Sequence, residues 1–142
     1  MTEAQARLIM SEIHRISNYA EILKEYDREL INIRKKLDGL QSLPSSGNFD
    51  KVKAENNHVE VSTKINELLS DEQAYIEQKS RVDIRYQLAV SYRKQVIAQT
   101  DSDSFMIDYM DRMSYRKLVH VYGWENPYEH MISVMRKLDI NF

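Results

Sequence analysis

Cysteine is absent from the 142 residues, so neither a disulfide framework nor a thiolate metal site can be built. Glycine occurs three times and proline twice, which suits long helices and argues against an all-β fold. No apolar run approaches the roughly 20 residues of a membrane span. The opening MTEAQARLIM lacks a charged segment followed by an apolar one, so no secretory leader is expected. The expectation is a soluble, cytoplasmic, all-α protein of one domain, or a small domain with an extension.

An excess of positive charge is also lacking. The net charge is −2, which argues against a generic nucleic-acid binder. The distribution is less even than the sum. Acids cluster at Asp101, Asp103, Asp108 and Asp111, whereas from Arg112 to Lys137 five cations (Arg112, Arg116, Lys117, Arg136, Lys137) stand against Glu125 and Glu129. That local excess is compatible with DNA without being a strong footprint.

Hydrophobic periodicity is plentiful. Residues 3 to 42 carry a heptad pattern with one seam at Ile9, Ile16, Leu23, Leu30 and Leu37 and another at Glu12, Tyr19, Tyr26, Ile33 and Leu40, where Glu12 alone is polar. The pattern predicts one helix of about 38 residues, on the order of 55 Å long. The extra apolar positions Ile13, Ala20 and Ile22 widen the stripe and favour more than one packing neighbour. Asp27 and Arg34 read as part of a solvated face. The stretch LPSSGNFD, Leu43 to Asp50, has loop composition and is expected to reverse the chain.

A second helical section is predicted from Val52 to Thr100, with a seam at Val61, Ile65, Leu68, Glu72, Tyr75, Lys79, Val82, Tyr86, Ala89, Arg93 and Val96. Ser70-Asp71-Glu72-Gln73 matches a capping box at which the helix would break or restart. Two long helices joined by a short loop form an antiparallel hairpin most simply, within one chain or between chains. The expected division is a coiled-coil hairpin over residues 1–100 and a three-helix unit over 101–142.

That second unit begins at a capping box, Thr100-Asp101-Ser102-Asp103, followed by a helix from Phe105 to Met113. Next, Tyr115, Leu118, Val119 and Tyr122 share a helical face, with Ser114 as N-cap and Gly123 as the left-handed stop. Asn126-Pro127-Tyr128-Glu129 combines an N-cap, a proline at the first helical position and an acid two residues later. The helix it starts is expected to bury Tyr128, Met131, Ile132, Met135 and Leu138 and to expose Glu129, His130, Ser133, Arg136 and Lys137. Two short helices about a corner at Gly123-Trp124-Glu125 make a helix-turn-helix candidate, because the major groove admits one helix while the other braces it.

The order of parts, together with IDYMDRMSYRKLVHVYG over Ile107 to Gly123, resembles phage-encoded transcriptional regulators of the RinA and ArpU type, whose C-terminal section looks like region 4 of bacterial sigma factors. Tyr109, Met113, Ser114, Tyr115, Leu118, Val119 and Gly123 take the places of the family pattern. The resemblance implies a recognition helix containing Met131, Ile132 and Leu138. The residues expected on double-stranded DNA are Tyr128, His130, Ser133, Arg136 and Lys137, with Arg112, Arg116 and Lys117 on phosphates. A homodimer paired through the coil is expected, with RNA polymerase or another protein as a further partner.

The histidines at 14, 58, 120 and 130 have no zinc-site spacing, and no catalytic arrangement emerges, so neither a metal, a cofactor nor an enzymatic activity is expected. Two rival classes remain open. One is a helical adaptor or inhibitor, such as an anti-defence protein, that binds a protein partner. The other, ranked lower, is a DNA-packaging subunit.

Overall fold

The computed structural model describes residues 1–41, 51–123 and 125–141, with side chains for 1–40, 60–123 and 125–141. The loop expected at Leu43 to Asp50 and the corner residue Trp124 lie outside the described residues. The protein is all-α, with helices α1 (Glu3–His14), α2 (Ile16–Gln41), α3 (Lys51–Gln99), α4 (Ser104–Met110), α5 (Tyr115–Tyr122) and α6 (Pro127–Arg136). No strand occurs among the described residues.

Contacts divide the chain into two units, Met1–Ala20 with Asp83–Phe142, and Glu21–Val82. The expected division at residue 100 is therefore not where the packing divides. Helices of 7, 8 and 10 residues, as α4, α5 and α6 are, fall below the length at which an isolated helix is stable. Their core is completed by α1, through Ala6, Ile9, Met10 and Ile13, and by the end of α3, through Tyr92 and Val96. Phe105, Met106, Met110, Leu118, Met131, Ile132 and Met135 close it from the C-terminal side. Each fully buried side chain of this size stabilises by about 1.5–3 kcal/mol.

The single N-terminal helix expected from the heptads is two helices. At Arg15 the backbone N–H bonds to the Glu12 carbonyl at 3.1 Å, a tightened turn, and the Tyr19 N–H bonds to the Arg15 carbonyl at 2.8 Å as the ladder resumes. The break separates α1, committed to the C-terminal core, from α2. It also explains Glu12, the polar member of the first seam: the Tyr19 hydroxyl, one heptad on, donates to its carboxylate at 2.6 Å. Burial, and then this bond to a carboxylate, raises the Tyr19 pKa.

Within the second unit, α2 and α3 run antiparallel and fill their seam from within one chain. Ile33 and Leu37 are buried, and the Tyr26 and Tyr75 rings lie 5.8 Å apart. From Val61 to Val82, within this unit, every predicted α3 seam position is half-buried, polar ones included. The polar ones have partners. Arg34 meets Glu72 at 2.9 Å and Lys79 meets Asp27 at 2.5 Å. Asp27 and Arg34 are exposed, as expected of a solvated face, and each also reaches across the hairpin. Glu72 is held within a continuous α3, so the break expected at Ser70-Asp71-Glu72-Gln73 does not occur. With neither Gly nor Pro nearby, the helix ladder outweighs the local capping motif.

These two pairs specify register. On α2 the signs run Asp27 then Arg34, and on α3 they run Glu72 then Lys79, so the antiparallel alignment joins opposite charges. A slip of one heptad either way would set Asp27 against Glu72 or Arg34 against Lys79. Partly exposed pairs of this kind contribute about 0.2–1 kcal/mol each, enough to bias register while the apolar seam supplies stability. Lys79→Glu should lower the urea midpoint by the equivalent of about 1 kcal/mol, and adding Asp27→Lys should recover most of it. A double variant as unstable as the two single losses combined would show that the pair does not set the alignment.

Candidate nucleic-acid interface

Local signals place the last three helices largely as read from sequence. Ser114 caps α5 by accepting from the Lys117 N–H at 3.3 Å. The box expected from Thr100 does not form: Thr100 ends α3 with its hydroxyl donating to the Val96 carbonyl at 2.7 Å, and Asp103 itself caps α4 by accepting from the Met106 N–H at 3.2 Å. Gly123 ends α5 at φ 71°, where a side chain would be strained. Asn126 caps α6, its Oδ1 accepting from the Glu129 N–H at 3.2 Å and from the Tyr115 hydroxyl at 3.1 Å. That second bond accounts for Tyr115, expected on the buried face but 51% exposed: its hydroxyl reaches over to the cap of the next helix.

The start of the unit departs from expectation. α4 ends at Met110, not Met113, because Arg112 adopts the left-handed conformation at φ 61° and the Met113 N–H bonds back to the Asp108 carbonyl at 2.9 Å. This closure usually takes glycine. Arginine there carries strain of about 1–2 kcal/mol and is exposed.

The candidate DNA residues are placed as follows. Ser133, Arg136 and Lys137 are exposed on the outer side of α6, while Met131, Ile132 and Met135 anchor its inner side. Arg116 and Lys117 are exposed in the first turn of α5. Tyr128 is half-buried at the start of α6 rather than enclosed in the core. His130 corrects the expected face: it is half-buried, its ring edge-on to Phe105 at 4.6 Å and 84°. Phe105 also meets Tyr122 edge-on at 5.3 Å. A large aromatic at Phe105 draws both neighbours inward, so His130 contributes to packing.

Three acids of the C-terminal section are engaged by the fold, while Glu125 and Glu129 stand exposed among the cations. Asp103 caps α4, Asp108 accepts from the Tyr122 hydroxyl, and Asp111 pairs with Arg93 at 2.9 Å. Among the described residues, none of Arg7, Arg112, Arg116, Lys117, Arg136 and Lys137 has a carboxylate within ion-pairing distance.

Sequence reasoning missed a contribution from α1. An open groove of about 500 Å³ lies in the first unit, lined by Arg7, Ser11 and His14 of α1, by Arg15 at its C-cap, and by Tyr109, Arg112 and Tyr128. The His14 Nε2–H donates to the Tyr109 carbonyl at 2.8 Å, and the two rings stack with centroids 5.6 Å apart. Burial raises the Tyr109 pKa. A signal was present: Arg7, Ser11 and Arg15 recur every four residues, with His14 between them, a polar stripe beside the apolar one.

Other observations bound the chemistry. No group of three or more metal-ligating side chains occurs among the described residues, and His58 lies outside the described side chains. No described helix is long and apolar enough to cross a membrane. No family model, curated protein or solved structure matches the chain.

The Tyr122–Asp108 bond joins α5 to α4 and pushes the phenol pKa up to about 12, chiefly because the carboxylate accepts its proton. The group holds its proton more tightly folded than unfolded, so its contribution to stability is complete below pH ~10 and is lost as pH rises toward 12. Tyrosinate absorbance should show one phenol titrating near pH 12 that disappears in Tyr122→Phe. Alkaline loss of stability should be shallower in that variant; an unchanged profile would remove this bond from the account.

Proposed function

We propose that the protein binds double-stranded DNA through α5 and α6 and regulates transcription, in the manner of phage or mobile-element regulators. The observation carrying this is the unpaired state of Arg112, Arg116, Lys117, Arg136 and Lys137 beside acids already engaged in capping, hydrogen bonding and ion pairing. In this reading α6 enters the major groove, presenting Ser133 and Arg136 from its outer side, and the first turn of α5 meets phosphate through Arg116 and Lys117. Binding rather than catalysis is the role, and no cofactor enters it.

A head with few phosphate contacts binds weakly alone, and pairing two copies raises the effective concentration of the second. The hairpin seam is satisfied within one chain, so pairing would use another surface. In the hairpin unit Ile31, Leu69 and Ile76 are exposed at 55%, 44% and 45%, and Ile31 and Ile76 line one shallow cleft. The same apolar surface would serve an adaptor that binds another protein, the principal rival, with RNA polymerase as one such partner.

Arg136→Ala combined with Lys137→Ala should abolish a gel shift on the regulator's DNA site while leaving helical circular dichroism intact. Retention of the shift would place the DNA contact elsewhere. Recovery of a protein partner without nucleic acid, with no shift by the native chain, would favour the adaptor.

A further inference from the structure

We infer that the groove beside α1 is a phosphate-binding site, in which Arg7, Arg15 and Arg112 take the phosphodiester backbone of the nucleic acid whose bases α6 reads. The inference rests on the DNA reading above and extends it to α1, which a two-helix motif does not include.

Three features of the groove define its ligand. It gathers three guanidinium groups and no carboxylate in a chain of net charge −2. Planar guanidinium forks match phosphate oxygens in pairs. Residues with neutral donors stand among the cations: Ser11, Tyr109 and Tyr128 line the same groove. Of the carboxylates on adjoining turns, Asp111 is engaged with Arg93 at 2.9 Å, and Glu12 accepts from Tyr19 at 2.6 Å while also pairing with the groove's own Arg15 at 3.6 Å, which leaves Arg7 and Arg112 as its unpaired cations.

Continuity with the helix-turn-helix selects a polymer backbone over an isolated anion. Arg112 sits on the turn between α4 and α5, and Tyr128 lies in the first turn of α6, so the groove opens where the reading helix begins. The left-handed Arg112 belongs to the same arrangement. Its backbone pays a conformational penalty that glycine would avoid, and from that turn Arg112 lines the groove as an exposed residue.

The test uses the full chain, a mixed-sequence duplex over a salt series, and pyrophosphate as the free-anion probe. Arg7→Ala with Arg112→Asn removes two of the cations, and asparagine tolerates the left-handed backbone. The slope of log K against log salt should shrink by about 1.8, at about 0.9 per phosphate. Arg7→Lys with Arg112→Lys should restore most of it. NMR of the arginine Nε–H groups should show Arg7, Arg15 and Arg112 shifting on addition of duplex.

The two proposals fail separately. Duplex binding that depends on Arg136 and Lys137 but keeps its slope in Arg7→Ala/Arg112→Asn would overturn the groove and leave the helix-turn-helix standing. Shifts of these three arginines with pyrophosphate, in a chain that binds no duplex, would keep the phosphate site and overturn the DNA reading. No shift with either probe would overturn the groove.

Discussion

Burial of the inner side of α6 beneath α1 and α4 is the contact on which the rest depends. Met131 and Met135 are enclosed there with Ile9, Ile13 and Met106, at 0–2% exposure. None of the three C-terminal helices is long enough to persist in water unaided, and each caps its own ends without supplying a core. The order in space of the exposed cations on α5 and α6 is therefore a consequence of apolar packing by a helix more than a hundred residues away in sequence.

Electrostatics in this unit follows from the same packing. Once α4 is docked, Asp103 is turned to its own backbone, Asp108 to Tyr122 and Asp111 to Arg93. Each contact is worth little as stability at an exposed site. Their collective effect is on charge distribution: carboxylates that would otherwise neutralise Arg112, Arg116 and Lys117 are directed elsewhere. The C-terminal tail adds to this frame, since Gln99 exchanges two hydrogen bonds with the Asp139 backbone, at 2.7 and 2.8 Å, and Ile140 is buried.

In the hairpin unit a different division of labour holds. Apolar seam residues supply burial but are nearly interchangeable along a heptad repeat, so by themselves they define alignment weakly. Glu72 and Lys79, which interrupt the seam, distinguish one alignment from its neighbours through Arg34 and Asp27. Polar residues that look like defects in a one-dimensional pattern act as register marks once two helices are laid side by side.

Helix positions, the caps at Ser114 and Asn126, the stop at Gly123 and the α3 seam were written in local sequence, because capping and periodicity depend on residues within a turn or two of each other. What neighbours in sequence cannot encode is which distant surface a stripe will meet. That decided the break at Arg15, where one apolar pattern serves two different partners, and the inward turn of His130, which Phe105 draws from the face its spacing assigned. It also decided the groove. Arg7 and Arg15 share a polar stripe that is legible along α1 and its C-cap, but they become part of a candidate site only because α1 is buried against α6, near Arg112 and Tyr128.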